Sequence, residues 1–283
     1  MQWRRAPAKI NLTLHVIGRR AGGLHEIESL VAFGAPCDWL GYEPGSRLKL
    51  DVEGGGAPFV GPTEKNLVLR AARELADRVP GLRLGRFRLI KRLPVAAGLG
   101  GGSADAAAAL RALAGENGLT VDDERVRDAA LAAGADVPVC LSPRCRWMAG
   151  VGERLGPHAP LPEIFAVLVN PRAAVSTGQV FDALGLAPGS SGAPPEPHAN
   201  SPLTLASLAS FRNDLEAPAT RVAPIVATVL GTLSRLPHAK VTRMSGSGAT
   251  CFALFDKKQD AAIAATMIAT ERPEWWTRPT RLR

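Results

Sequence analysis

Gly98, Gly100, Gly101 and Gly102 fall within five residues and run directly into ADAAAAL, a strong helix former. A helix N-terminus offers unpaired N–H groups and a partial positive charge, and glycines ahead of it let a phosphate approach the backbone with no Cβ in the way. The stretch LPVAAGLGGGSADAAAAL therefore reads as a phosphate cradle from Pro94 to Ser103, with Gly98, Leu99, Gly100, Gly101, Gly102 and Ser103 as its contacts. Ser103 is expected to cap the helix through its hydroxyl. The helix dipole contributes only about 0.3 to 1 kcal/mol, so cations must help hold a polyphosphate. The loop has no Gly-Lys pair followed by Ser or Thr, and Ser103 stands where a dinucleotide fingerprint needs its last glycine. On glycine count alone, a tight turn packing an alanine-rich helix against a sheet fits equally well. A second candidate for chemistry is Asp136, just past a helix stop at Gly134 and stiffened by Pro138, a placement that would fix a carboxylate.

The elements that must position these residues follow from periodicity. INLTLHVIG, IESLVAFG and RLKLDVEG read as strands. TEKNLVLRAARELADRV repeats Leu67, Ala71, Leu75 and Val79 at helical spacing behind a Thr63 cap, and GRFRLIKRLPV is a strand feeding the glycine loop. DDERVRDAALAAG reads as a helix ending at Gly134, with ADVPVCL as an extended exit. EIFAVLVNP is a buried-strand candidate, Ala219 to Leu236 is helical, HAKVTRMSGSGATCFALF is strand, loop, strand, and DAAIAATMIATER is a closing helix. LAPGSSGAPPEPHANSP, from Leu186 to Pro202, is too rich in proline, glycine and serine to pack and reads as a mobile loop. A domain boundary is expected near Gly156, giving domains 1–156 and 157–283.

Composition sets the outer limits. At 283 residues and 46% hydrophobic, the chain can build a substantial core, and no apolar run approaches the roughly 20 residues that span a bilayer. The N-terminal MQWRRAPAKINL has no apolar signal region, so a cytoplasmic protein is expected. Cys37, Cys140, Cys145 and Cys251 are scattered without metal-ligand spacing, which predicts free thiols. The formal charge of +8 favours anionic partners, either phosphorylated small molecules or nucleic acid. Aromatic residues make up only 5% and interleave no basic stripe, which disfavours nucleic acid.

PVAAGLGGGSADAAA resembles the second motif of the GHMP kinase superfamily, whose members phosphorylate small alcohols with ATP. PAKINLTLHVIGRRAGGLHEIESL near the N-terminus and MSGSGATCFALF near the C-terminus match the same layout in the same order. The resemblance implies an α+β chain of two domains with the active site in the cleft between them. The segments AKINL, GLHEIESL, TEKNLVLRAA, AGADVPV and NPRAAVSTGQVF are similar to a branch whose acceptor is a cytidine diphosphate derivative. A member acting on another alcohol, such as homoserine or mevalonate, is the alternative.

The resemblance also distributes roles. It makes Asp136 the general base and Lys9 its partner, whose charge offsets that developing on the transferred phosphoryl group. Asn11, two residues on and on the same strand face, would orient the substrate or Lys9 by hydrogen bonds. Lys65 and Asn66 would flank the nucleotide base. His25 would contact cytosine, Phe181 would supply an aromatic face, and Thr177 would cap the VFDAL helix and bond the substrate. Gly246, Ser247 and Gly248 would bring a second set of backbone N–H groups to the substrate phosphates. The family has a tyrosine immediately before the histidine where this chain has Leu24, which implies a weaker hold on cytosine. Magnesium is expected to arrive bound to ATP, with no metal site built by the chain itself. Asp105, in the first turn of the helix, would repel a triphosphate and is expected to face away from it.

Overall fold

The computed structural model describes residues 1–191 and 202–283. In chain order its first elements are β1 (Gln2–Asn11), β2 (His15–Arg19), β3 (His25–Pro44), β4 (Lys49–Glu53), α1 (Leu67–Arg78), β5 (Gly85–Ile90), α2 (Gly101–Glu116), α3 (Glu124–Ala133) and α4 (Val137–Leu141). There follow β6 (Arg146–Gly150), β7 (Arg154–His158), β8 (Phe165–Asn170), α5 (Thr177–Asp182), α6 (Leu205–Ser210), α7 (Glu216–Val222), α8 (Ile225–Ser234), β9 (Val241–Met244), β10 (Cys251–Phe255), α9 (Lys258–Glu271) and β11 (Trp276–Arg281). Among the described residues, no helix is long and apolar enough to cross a membrane.

The chain packs as two compact units, and neither is continuous in sequence. The first comprises Met1–Lys9, Pro36–Val95 and Gly100–Pro143; the second comprises Ile10–Ala35, Ala96–Leu99 and Arg144–Arg283. A boundary at Gly156 divides the chain once, whereas the packing changes over after Lys9, Ala35, Val95, Leu99 and Pro143. The reason is that β1 and β3 each give residues to both units.

In the first unit, β4 runs parallel to β5, and β5 runs antiparallel to the second half of β3, from Trp39 to Pro44. The alternation in GRFRLI sends Phe87 and Leu89 into the core and leaves Arg86 and Arg88 outside, where they pair with Asp51 and Glu53. α1 to α4 pack on one another. α2 is buried on almost every side, with Ala104, Ala106 to Ala109, Ala112 and Ala114 at most 1% exposed, and its small side chains let its neighbours approach closely. The cap of α1 is Asn66, whose Oδ1 accepts from Val68 N at 2.9 Å; Thr63, expected to cap it, opens a short 3₁₀ turn ahead of the helix.

ADVPVCL is helical, not extended: it forms α4, with Asp136 at the N-cap. Proline at the second helical position sacrifices no internal hydrogen bond and presets φ, so Pro138 starts this helix where it would break one further along.

In the second unit, the first half of β3 pairs with β2 and β6, and β6 pairs with β7, all antiparallel. A four-stranded antiparallel sheet in the order β11-β8-β10-β9 carries α8 and α9. The helical stretch expected from Ala219 to Leu236 is broken into α7 and α8 at Ala223 and Pro224. Leu186–Ser191 is packed despite its composition: Arg19 N donates to Ser190 O at 2.9 Å, Gly189 N to Arg19 O at 2.7 Å, and Arg19 Nη1 to Leu186 O at 3.0 Å. The rest of the loop expected from Leu186 to Pro202, residues 192–201, lies outside the described residues.

Arg243 of β9 anchors this unit from within. It is 5% exposed, and its guanidinium donates to the carbonyls of Leu12 (2.6 Å), Leu208 (3.1 Å) and Phe211. Burial pulls its pKa down to about 10, so it remains charged at neutral pH. Arg243→Met strands those carbonyls, and is expected to cost about 2 to 4 kcal/mol by chemical denaturation; a loss below half of that would show that water takes over their bonding.

Candidate active site

Left-handed backbone recurs at every second residue of the glycine loop: φ is +50° at Ala96, +74° at Gly98 and +59° at Gly100. Such alternation of hand turns successive N–H groups around one concavity, the geometry that holds anions. Gly100 is the N-cap of α2 and makes no side-chain cap bond, so Ser103 lies in the first turn and not at the cap. The correction follows from Gly101, Gly102 and Ser103 itself being helical, which moves the cap three residues earlier than the serine suggested.

In the first unit, Gly100 to Ser103 lie with the two residues proposed for proton transfer. Lys9 Nζ stands 3.1 Å from Asp136 Oδ2; the lysine side chain is buried at 4% exposed, while the carboxylate is 38% exposed and open to an incoming group. A Cβ on Gly100 would meet Lys9 Cε at 2.9 Å, so the lysine stem passes directly under the cradle. Arg111 of α2 holds the pair's supports together, donating to Cys140 O at the end of α4 (2.7 Å) and to Arg5 O in β1 (2.8 Å). Asn66 and the exposed Lys65 sit at the start of α1, where Leu67 Cδ1 would be 3.5 Å from a Cβ on Gly102.

Beneath the same helix start is a buried charge cluster. Lys91 Nζ donates to Asp105 Oδ2 at 2.8 Å and to Asp38 Oδ2, while Asp38 Oδ1 accepts from Arg92 N (2.5 Å) and Leu93 N (2.8 Å). All three side chains are at most 4% exposed, and Asp105 Oδ1 has no hydrogen-bond partner among the described residues. Burial pushes the Asp105 carboxyl up to about 7, with Lys91 opposing and Asp38 adding to the rise. Burial works against the charge on Lys91, but its two carboxylate neighbours prevail and raise its pKa. Asp105 thus turns away from the cradle and onto Lys91. Sequence reasoning missed Lys91 and Asp38, although the alternation that buries Phe87 and Leu89 puts Lys91 on the same inward face.

In the second unit, the loop after β9 closes on the other part of the cradle. Ser245 Oγ donates to Gly98 O (2.8 Å) and accepts from Asn11 N (3.1 Å), and Thr250 N donates to Ala97 O (3.1 Å). Asn213 shapes that loop by donating to Met244 O and Gly246 O, both at 2.8 Å. Asn11 is 1% exposed and donates to Ser29 Oγ at 2.7 Å, and its Oδ1 lies 3.4 Å from where a Cβ on Gly246 would sit. Ser247 Oγ is 2.8 Å from Thr177 Oγ1. Thr177 is the first residue of α5, whose cap is Ser176, so its hydroxyl is turned to Ser247 and not to the helix end.

His25 and Phe181 also come together, their rings stacked at 4.6 Å between centroids with 29° between planes. Burial, then repulsion from Arg19, lowers the His25 pKa, with Asp182 opposing, which favours a neutral ring near pH 7. His25 Nε2 has no partner among the described residues, and the neighbouring Leu24 is 59% exposed. Among the described residues, no three His, Cys, Asp or Glu side chains gather as a metal cage.

Comparison with known proteins supplies the remaining context. A family model for the GHMP kinases N terminal domain matches residues 66–144, and one for the GHMP kinases C terminal region matches residues 198–272. The chain is 55% identical to the 4-diphosphocytidyl-2-C-methyl-D-erythritol kinase of Xanthobacter autotrophicus, over 99% of this chain and 98% of that protein. A crystal structure of 4-(cytidine 5'-diphospho)-2C-methyl-D-erythritol kinase aligns with a TM-score of 0.79 at 34% identity, covering 99% of both chains. Homoserine kinase from Cytophaga hutchinsonii aligns with a TM-score of 0.69 over 99% of this chain and 93% of its own, and at 17% identity it shares the fold alone.

Proposed function

The chain belongs to the GHMP kinases, and within them to the 4-diphosphocytidyl-2-C-methyl-D-erythritol kinases; from that premise we propose how its residues move the γ-phosphate of ATP to the 2-hydroxyl of 4-diphosphocytidyl-2-C-methyl-D-erythritol. This is a step of the non-mevalonate route to isoprenoid precursors. The observation that carries the mechanism is the 3.1 Å contact of Lys9 with the half-open Asp136 beneath Gly100.

Phosphoryl transfer asks the protein chiefly to align the acceptor and absorb spreading charge. Asp136 takes the proton of the acceptor hydroxyl as its oxygen bonds to the γ-phosphorus and the bond to the bridging oxygen of ADP breaks. Lys9 holds the carboxylate in place and offsets charge on the transferred group. The N–H groups from Gly98 to Ser103 cradle the ATP phosphates, with Pro94 and Leu99 shaping the loop and Lys65 and Asn66 beside the base. A magnesium ion arriving with ATP would offset phosphate charge, and no residue of the chain is assigned to hold it. Asn11, Thr177 and the Gly246–Ser247–Gly248 loop bind the acceptor.

The neutral imidazole of His25 hydrogen-bonds cytosine and Phe181 supports it. Phe181→Ala removes an aromatic face worth about 1 to 3 kcal/mol per stacked base and the ring on which His25 rests, so KM for the acceptor is expected to rise by about five- to a hundredfold with KM for ATP unchanged. The governing test is an ADP-release assay with ATP, magnesium and the cytidyl acceptor, run beside homoserine and mevalonate. Turnover on the cytidyl acceptor alone is expected; turnover on either other alcohol instead would discard the acceptor assignment while keeping the superfamily.

A further inference from the structure

We propose that Lys91, with Asp38 and Asp105, is a positioning device for the phosphate cradle, and that Asp105 carries a proton when the nucleotide is held. The inference rests on the kinase reading above and deepens it. Asp38 fixes the backbone of Arg92 and Leu93 just before Pro94, where the cradle begins, while Asp105 belongs to the helix on which the cradle ends. Lys91 joins the two. The cluster lies directly under the cradle, because a Cβ on Gly101 would be 3.4 Å from Lys91 Nζ and 3.6 Å from Asp38 Oδ2.

One lysine and two carboxylates leave a surplus negative charge at the end of the helix that should attract phosphate. A single proton removes that surplus and leaves the clasp intact. Asp105 is the carboxyl that takes it: Asp38 accepts two backbone N–H bonds that favour its charged form, whereas Asp105 Oδ1 accepts none among the described residues. The groups bearing on Asp105 are Lys91 from the exit of β5, Asp38 from β3 and the Cys140 thiol from α4, among the described residues. Burial pushes that thiol up to about 12, so it stays neutral throughout the working range. Among the described residues, the charged groups that move Asp105 most lie on neither α1 nor α3, the other helices packed on α2.

The direction is then fixed. With its pKa raised to about 7, Asp105 is protonated below that pH and the cluster is neutral; above it the cluster carries one negative charge under the phosphates. KM for ATP is therefore expected to climb as pH rises from 6 to 8.5, by about three- to tenfold more in the parent chain than in Asp105→Asn, with kcat following the same profile in both. The asparagine keeps the shape and cannot ionise, so it should match the parent at pH 6 and bind ATP more tightly at pH 8.5. ATP's own titration is common to both chains and cancels. Lys91→Met is the second variant, expected to raise KM for ATP at least about tenfold with kcat at saturating ATP within about threefold.

Coincident KM profiles for the parent and Asp105→Asn would overturn the proposal, as would Lys91→Met losing kcat with KM for ATP unmoved. Should Lys91→Met fail to fold, the Asp105→Asn comparison decides alone. Failure of the kinase reading looks different: the parent chain would then show no turnover of the cytidyl acceptor at any pH.

Discussion

Asparagine in place of Asp136 is expected to lower kcat by about a thousandfold while KM for ATP stays within about twofold. The substitution is close to isosteric, so the N-cap position of α4 and the contact with Lys9 survive, and what is lost is the capacity to accept a proton. Lys9→Met should cost a comparable factor, because the lysine is buried against that carboxylate and passes under Gly100. The two residues act on one event, so the double variant should be little worse than the poorer single one. Single-turnover measurement of ADP release isolates the chemical step. A loss under about tenfold in Asp136→Asn would show that the acceptor hydroxyl needs no base, as a loose, dissociative transition state can allow.

Gly98→Ala is the second large effect, and it acts through the backbone. Gly98 has φ of +74°, and a Cβ there would strike the carbonyl oxygen of Ser245 and come within 2.9 Å and 3.0 Å of Gly248 O and N. Those atoms belong to the loop that Ser245 and Asn213 hold in place, so they cannot move aside cheaply. The left-handed conformation costs an alanine about 1 to 2 kcal/mol and the clash about 1 to 3 more. The expected outcome is a clear fall in unfolding free energy and a rise of at least about tenfold in KM for ATP. Gly118→Ala is the control, since Gly118 has φ of +68° and open space where its Cβ would go. It should pay the conformational cost alone and keep KM for ATP. Equal effects of the two substitutions would mean that the clash is relieved and the loop is softer than its bonding implies.

The parts of the site that the sequence disclosed were those carried by local signals. Glycine spacing marked the loop from Gly98 to Gly102, and the family resemblance pointed to Lys9 and His25 through AKINL and GLHEIESL and to Asp136 and Phe181 through AGADVPV and NPRAAVSTGQVF; the structure brings these four together as two pairs. What was hidden depends on competition between neighbours. Asn66, Gly100 and Ser176 cap helices where Thr63, Ser103 and Thr177 were the better-looking candidates, because a cap is decided by which residue leaves the helix and not by which carries a hydroxyl. ADVPVCL reads as extended because Pro138 breaks a helix everywhere except in its first turn, which is where α4 places it. ERPEWWTRPTRLR carries no clear periodicity, yet it holds β11, whose Pro279 is accommodated because the strand lies at the edge of a sheet and, among the described residues, pairs with β8 alone. Lys91 and Asp38 lie 53 residues apart in sequence, and nothing local links a lysine on one inward face to an aspartate on another.

The segment Ala96–Leu99 is synthesised early, yet it packs with residues made much later. Gly98 is gripped by Ser245, and Ala97 by Thr250. At translation rates of about 5 to 20 residues per second, roughly 8 to 30 seconds pass between the appearance of Leu99 and that of Thr250. Until then the middle of the glycine loop has no partner to set its curvature, however complete the helices around it are. The proposed phosphate cradle therefore takes its final curvature only after Thr250 has been made, and a chain truncated before MSGSGAT is expected to gain no stability from ATP.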